Sequence, residues 1–285
     1  MDTTFWQAIK QNDFAIPPGY SVEALTEYLL SALGNVNPEI REGPNHEVLE
    51  NWIHRGVYSA DALRTMMSRM LENLTVGLGE EGTDTVFLRT FSMLILTEIL
   101  QEDNERPFLT EPELRHAMER GLAYLEAEQD VRGYVIGKGW AHAVAHAADF
   151  LMVLARNRYQ QTADLERLLL AITKKLNGPP IYVYLYEEDE RLAYAALTVF
   201  RRDLLQFPFL AHWIQQLARP EGVPWRIDTF YTPEQTMRYH NLKTFLRSLY
   251  FQLRLTPSSP QAAPMLLAEL EKAIQMMDRG YYELS

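Results

Sequence analysis

The chain has 285 residues, 47% of them hydrophobic, which is enough to bury a sizeable core in one elongated domain or two closely joined ones. Its formal charge of -11 repels phosphate backbones, so we expect no nucleic-acid partner. The absence of cysteine excludes disulfides, thiolate metal sites and cysteine nucleophiles, and it favours the cytoplasm.

No segment of the sequence has the character of a membrane span or a signal peptide. The first residues lack a basic stretch followed by an apolar one. The most apolar predicted helix, around residues 91–100, is shorter than the roughly 20 residues that a bilayer requires. We therefore expect no membrane association.

Helical periodicity dominates the chain. Apolar residues recur at spacings of three and four, whereas alternating apolar and polar runs are nearly absent, so the sequence predicts an all-α fold. Thr110 with Glu113, and Thr232 with Gln235, have the spacing of capping boxes and mark two helix starts. The predicted helices cover residues 3–12, 21–33, 45–55, 59–74, 83–102, 111–128, 139–157, 163–176, 188–203, 206–218, 233–254 and 261–278.

Short connections between these helices favour antiparallel helical hairpins. Such hairpins stack into an α-solenoid, here a HEAT-like superhelix, or into a closed helical barrel. No repeat of fixed period is legible, so the solenoid is a hypothesis about architecture. We predict a single helical domain over residues 1–285, with a C-terminal helical extension over 226–285 after a proline- and glycine-containing break at 219–225.

Residues 130–149 carry the chemistry that stands out most. Residues 130–139 contain three glycines and are predicted to form a loop or a short extended piece. In the following helix, His142, His146 and Asp149 are separated by four and three residues and would share one stripe. Imidazole and carboxylate together suit zinc, manganese, iron or nickel.

Three interpretations of this stripe are open. It could be a hydrogen-bonded structural row between helices, a metal site, or a site for proton transfer or ligand binding without a metal. A zinc-peptidase helix would carry glutamate where this chain has Ala143, so that chemistry is excluded. A metal site would need a ligand from a second helix, and Glu188 or Asp189 is the first candidate, although acidic residues in a first helical turn also complement the helix dipole.

Cationic and aromatic residues close to the stripe suggest a ligand-binding hypothesis. Arg132, Tyr134 and Lys138 precede the predicted helix, and helix amino termini attract anions. A small anionic ligand could be held there, with Trp140 and Arg191 as further contacts. The simpler interpretation is a glycine-permitted turn with solvated charges.

The same segment resembles a known family. The run from Arg132 to Asp149 is similar to the signature of the bacterial family "domain of unknown function 2785". Further blocks that resemble the family lie at residues 37–41, 52–53, 86–92 and 188–192. The resemblance implies a bacterial setting and a helical fold, and it supplies no reaction. The chain has His46 where the family pattern carries an aromatic residue.

Three functional hypotheses follow. The first is a non-catalytic helical scaffold that binds a protein or peptide in a concave groove. The second is a metal-dependent enzyme, such as a hydrolase, with His142, His146, Asp149 and Glu188 around the metal. The third is a small-anion-binding protein centred on Arg132 and Lys138.

Overall fold

The computed structural model describes residues 1–179, 182–219 and 232–282. Over these residues the chain is mostly helical, with one two-stranded antiparallel sheet, so the helical class is confirmed. The chain forms two compact units, Met1–Phe150 and Leu151–Ser285. The single domain over 1–285 and the extension over 226–285 stay predictions, and nearly all of the predicted break at 219–225 lies outside the described residues.

The first unit is built from helices and one hairpin. Its elements, in chain order, are α1 (Thr3–Gln11), α2 (Val22–Ala32), α3 (Pro38–Arg41), α4 (Pro44–His54), α5 (Ala60–Asn73), α6 (Thr85–Glu105), α7 (Glu111–Ala127), β1 (Tyr134–Val135), β2 (Gly139–Trp140) and the start of α8 (Ala143–Arg156).

Helix α6 forms the core of the first unit. It packs on α4 and α5, and its apolar side chains are buried around the whole helix rather than along one stripe, as Phe87, Phe91 and Leu96 illustrate. A helix that is apolar all round is stable only when neighbours cover every side. Polar residues on α6 are therefore buried as well, and they require partners.

All the secondary-structure elements in the described residues of the second unit are helices. Its elements are the end of α8, α9 (Thr162–Asn177), α10 (Glu188–Phe200), α11 (Phe207–Ala218), α12 (Pro233–Leu255), α13 (Ala263–Met277) and α14 (Arg279–Tyr282). Helix α12 packs on α9, α10, α11 and α13. In the core of the second unit, the indole of Trp213 packs edge-on against Phe200 and Phe245 and donates a hydrogen bond to Thr173 at 2.7 Å.

Both predicted capping boxes are confirmed. Helix α7 begins directly after Thr110, which forms a capping box with Glu113, and α12 begins directly after Thr232, which forms one with Gln235. These caps satisfy backbone amides that have no partner inside the helix. None of the described helices is long and apolar enough to cross a bilayer.

Candidate functional site

The segment that carries the predicted stripe begins as a hairpin. We call residues 132–142 the signature hairpin: β1 pairs with β2, with Tyr134 opposite Trp140 and Val135 opposite Gly139. The predicted helix over 139–157 is wrong at its start, because β2 occupies residues 139–140 and α8 begins at Ala143. The prediction of a loop or short extended piece over 130–139 is confirmed.

A buried arginine from α3 anchors the signature hairpin. The side chain of Arg41 is fully buried and donates hydrogen bonds to the carbonyl of Lys138 and to the carboxylate of Glu42. Its guanidinium lies 3.9 Å from the ring centroid of Phe87 and 5.0 Å from that of Phe91. The cation is thus held between aromatic rings and acceptor oxygens, which offsets the cost of its burial.

Gly139 allows a second contact that holds the hairpin, the hydrogen bond between Glu42 and Trp140. Its φ of 77° is in the left-handed region, and a Cβ built on it would lie 2.3 Å from Oε1 of Glu42. That same oxygen accepts a hydrogen bond from the backbone amide of Trp140 at 2.7 Å. Glycine is therefore required at this position both for the backbone conformation and for the approach of Glu42.

His142 lies before α8 instead of on it. Its φ is 54°, its amide donates to the carbonyl of Arg132 at 3.0 Å, and its carbonyl accepts from the amide of His146 at 3.0 Å. Its imidazole stacks on the indole of Trp140 with a centroid distance of 4.3 Å, and Trp140 in turn packs edge-on against Tyr134. The residue thus joins the hairpin to the first turn of α8.

His146 and Asp149 both lie on α8. Nδ1 of His146 lies 3.0 Å from the carbonyl oxygen of Thr90, and since a carbonyl only accepts, Nδ1 carries the proton. The ring also packs edge-on against Phe91 at 5.4 Å and against His142 at 5.9 Å. His146 is 6% exposed, whereas Asp149 is only partly buried. The contacts of His146 are those of a residue that joins α8 to α6.

The two cations predicted to attract an anion are both paired. Arg132 donates two hydrogen bonds to the buried carboxylate of Asp130, at 2.8 and 2.6 Å, and these bonds raise the pKa of Arg132. Lys138 contacts both carboxylate oxygens of Asp84, at 2.6 and 2.8 Å. An anionic ligand would have to compete with these carboxylates for both cations.

A second buried arginine, Arg89 of α6, forms a brace of hydrogen bonds between the residues before α6 and the residue after α7. Arg89 is fully buried and forms two hydrogen bonds with the carboxylate of Glu128, at 2.6 and 2.9 Å. It also donates to the carbonyls of Val76 and Gly77, at 2.8 and 2.9 Å. The same Glu128 carboxylate accepts the amide of Asp130 at 2.9 Å, so the brace continues into the residues that hold Arg132.

The remaining predicted residues, Glu188 and Arg191, belong to the second unit. Both lie on α10, where Glu188 is fully buried and accepts a hydrogen bond from the amide of Tyr186 at 2.8 Å. Burial raises the pKa of the Glu188 carboxyl, and hydrogen bonds from nearby backbone amides oppose that shift. His142, His146 and Asp149 lie in the first unit.

Histidine and carboxylate side chains do come together elsewhere in the first unit. Among the described residues, ligand atoms that all lie within 4.8 Å of one another occur in Glu50, His54 and Glu98, and in His54, Glu102 and Glu105. His54 is not among the residues that the sequence predicts to form a site. The four-residue spacing of Glu50 and His54 on α4, and of Glu98 and Glu102 on α6, was the available signal.

The His54 ion pair makes stability depend on pH. A hydrogen bond with Glu98 raises the pKa of His54 above its usual 6.5. The stabilisation that charged His54 gives the folded protein is therefore full below about pH 6.5, and it is lost as the pH rises through the pKa of His54 in the folded state. We expect His54→Gln in metal-free protein to be more destabilising at about pH 6 than at about pH 9. Urea unfolding at both pH values measures this, with the exposed His212→Gln as the control. Equal losses at both pH values would refute the assignment.

A groove of about 590 Å³ opens between α5 and α7. Met67 and Leu71, each 4% exposed, supply apolar lining. Arg120 also lines it, donates one hydrogen bond to the carbonyl of Leu71 at 3.3 Å, and forms no ion pair within the described part of the chain. The other lining residues are Arg64, Ser68, Glu72, Pro112, Glu113 and His116.

Comparison with known proteins yields a family and no activity. A family model described as "Protein of unknown function (DUF2785)" matches residues 74–251, more than half of the chain. The matched region includes the signature hairpin and α8, so the predicted resemblance is confirmed. No curated protein and no solved structure gives a significant match.

Proposed function

Because the chain belongs to the DUF2785 family, whose description gives no activity, we propose a function from its own geometry. The chain is a non-catalytic helical binding protein. Its first unit holds a short peptide segment with apolar and acidic side chains in the groove between α5 and α7. The observation that carries this proposal is the guanidinium of Arg120, which lines an apolar groove without an ion-pair partner among the described residues.

The chemistry of the groove favours a peptide. Its volume of about 590 Å³ is in the range of ligand sites. Methionine is flexible and polarizable, and surfaces that accept varied peptides use it often, so Met67 suits an apolar side chain of a peptide. Helical grooves commonly receive such segments through a few apolar anchors.

Among the charged lining residues, Arg120 favours an acidic residue in that peptide, while the exposed Glu72 also lines the groove. Arg64 is already paired with Asp61 and Glu113, both at 2.9 Å. Arg120 is part-buried, and a carboxylate from a ligand would give it the charge-assisted, two-pronged contact that arginine forms best. An acidic side chain next to an apolar one therefore complements the groove.

The signature hairpin supports a binding protein over an enzyme. Arg132 and Lys138 are held by carboxylates, and His146 by a backbone carbonyl. Side chains that form such bonds stabilise the hairpin and α8 rather than contact a substrate. The metal site around His142, His146, Asp149 and Glu188, and the anion site around Arg132 and Lys138, stay predictions from the sequence.

We also propose the finer architecture that the sequence suggested. Sequence neighbours α5 and α6, and α12 and α13, pack on each other within their units, as expected for helical hairpins stacked in the manner of a HEAT-like solenoid. A cytoplasmic location is proposed because the chain has no cysteine. Small-angle scattering and cell fractionation would test these two points.

Selection from a phage-displayed dodecapeptide library tests the binding function. Enriched peptides are expected to carry Asp or Glu next to apolar residues. With fluorescein-labelled versions of those peptides, Arg120→Gln should weaken binding by about tenfold or more, since a charged hydrogen bond is lost. Fluorescence anisotropy gives the dissociation constants.

The matched control is Arg115→Gln. Arg115 lies on the same helix, pairs with Glu111 at 2.8 Å and does not line the groove, so its loss should leave peptide affinity unchanged. Failure to enrich any peptide, or equal affinity of Arg120→Gln and the wild type, would overturn the proposal.

A further inference from the structure

Two helices of the first unit carry imidazoles and carboxylates on the surfaces where they meet. On α4, His46, Glu50 and His54 follow one another at spacings of four residues and share one face. On α6, Glu98 and Glu102 have the same spacing, and α4 packs on α6. As a result, the ring of His54 lies among carboxylates from both helices.

The distances suit a shared cation. Nε2 of His54 lies 2.8 Å from Oε2 of Glu98, and one ligand atom from each of Glu50, His54 and Glu98 lies within 4.8 Å of the others. Ligands bound tetrahedrally at about 2.1 Å are separated from one another by roughly 3.4 Å. Small side-chain rotations would therefore bring all three ligand atoms onto one ion.

A buried carboxylate on the other side of the ring is an independent observation. Glu102 is 4% exposed, and while its Oε1 is held by Arg106, its Oε2 accepts no hydrogen bond from the described residues. That oxygen lies 3.5 Å from Nδ1 of His54. A metal-bound histidine usually donates its other ring N–H to such a carboxylate, which fixes the tautomer and the ring orientation.

We propose that Nε2 of His54 and the carboxylates of Glu50 and Glu98 bind a divalent transition-metal cation, with Glu102 orienting the imidazole. One neutral imidazole and two carboxylates neutralise the dication. A mixed nitrogen and oxygen set suits zinc and its neighbours better than calcium or magnesium, which prefer oxygen alone. On binding, the proton on Nε2 is released to solvent, while Nδ1 keeps its proton and donates it toward Glu102.

Burial and neighbouring charges act on the titratable groups of the cluster. Burial and the charge of Glu98 raise the pKa of the Glu50 carboxyl. Burial lowers the pKa of His46, whose Nε2 is also buried and makes no hydrogen bond with the described residues. A bound cation would relieve the repulsion between the carboxylates. Since the site lies on α4 and α6, it is distinct from the groove and does not depend on it.

Titration of metal-free full-length protein with Zn²⁺ tests the site. Calorimetry is expected to show one strong site per chain in the wild type. His54→Ala and Glu98→Gln should each weaken zinc binding by about tenfold or more, as loss of a ligand does. Zinc should raise the melting temperature of the wild type and not of these variants, and binding should weaken from about pH 8 to about pH 6 as protons compete for Nε2.

Two further variants separate the loss of a metal ligand from the loss of any histidine and from unfolding. His212→Ala removes an exposed histidine of the second unit and should leave zinc affinity unchanged. Glu50→Gln, whose side chain is 40% exposed, should keep the fold by circular dichroism and still lose affinity. Absence of a strong site in the wild type, or wild-type affinity in folded Glu50→Gln and Glu98→Gln, would overturn the proposal.

Discussion

Replacing Arg89 with methionine is expected to lower the free energy of unfolding by about 3–5 kcal/mol. Both members of the Arg89–Glu128 pair are buried, with side-chain exposures of 0% and 1%. Methionine fills much of the arginine volume, but it leaves the Glu128 carboxylate without its cation. The carbonyls of Val76 and Gly77 lose their donor at the same time.

Urea unfolding followed by circular dichroism measures this loss. Arg69→Met is the matched control, because Arg69 pairs with Glu27 at 2.6 Å while the two side chains are 36% and 66% exposed. A pair exposed to that degree is worth at most about 1 kcal/mol. Similar losses for Arg89→Met and Arg69→Met would mean that Arg89 is not the brace described above.

The second large effect is expected from Arg41→Met. Its guanidinium donates to the carbonyls of Asn35 and Lys138 and to the Glu42 carboxylate, so the variant strands three partly buried acceptors. A fully buried stranded acceptor costs about 1–3 kcal/mol, and since water partly reaches these three acceptors, we expect a total loss of roughly 2–5 kcal/mol. The signature hairpin should lose its order before the rest of the unit.

Hydrogen exchange locates the effect of Arg41→Met. Amide protection of Ala141 and His142, which pair with the carbonyls of Gly133 and Arg132, should fall more than protection within α6. Arg55→Met serves as control, since Arg55 also donates to a backbone carbonyl, that of Asp13, but from an exposed position. Uniform loss of protection in Arg41→Met would contradict a local anchoring role.

Local chemistry explains which parts of the fold the sequence predicts well. The capping boxes at Thr110 and Thr232 depend only on residues three positions apart, and both helix starts were predicted correctly. The predicted helix over 233–254 differs from α12 by one residue at its end. Within such segments the apolar spacing and the caps point to the same structure.

Contacts distant in sequence explain what was missed. The start of α8 was predicted at 139, but Glu42 accepts the amide of Trp140, and Arg41 holds the Lys138 carbonyl, across nearly a hundred residues. These contacts stabilise β2 and the left-handed conformation of His142. The apolar periodicity of residues 139–157 does not indicate these contacts.

The candidate sites could not be predicted from the sequence, because they too depend on contacts between helices that are distant in sequence. The spacings on α4 and α6 are visible in the sequence, but nothing in it shows that these two helices pack together and bring His54 next to Glu98. The groove likewise depends on α5 lying beside α7. The predicted stripe was conspicuous because its residues are close in sequence, and in the structure His146 of that stripe is bonded to the backbone of Thr90.

The binding function of the α5–α7 groove is tested most directly by methyl nuclear magnetic resonance on protein carrying ¹³C-labelled methionine methyl groups. Met67 lines the groove, whereas Met265 is 49% exposed on α13 of the second unit. Addition of a selected acidic peptide should shift the Met67 methyl signal in proportion to the bound fraction and leave the Met265 signal in place. Saturating peptide binding without a shift of Met67 would contradict the proposed function.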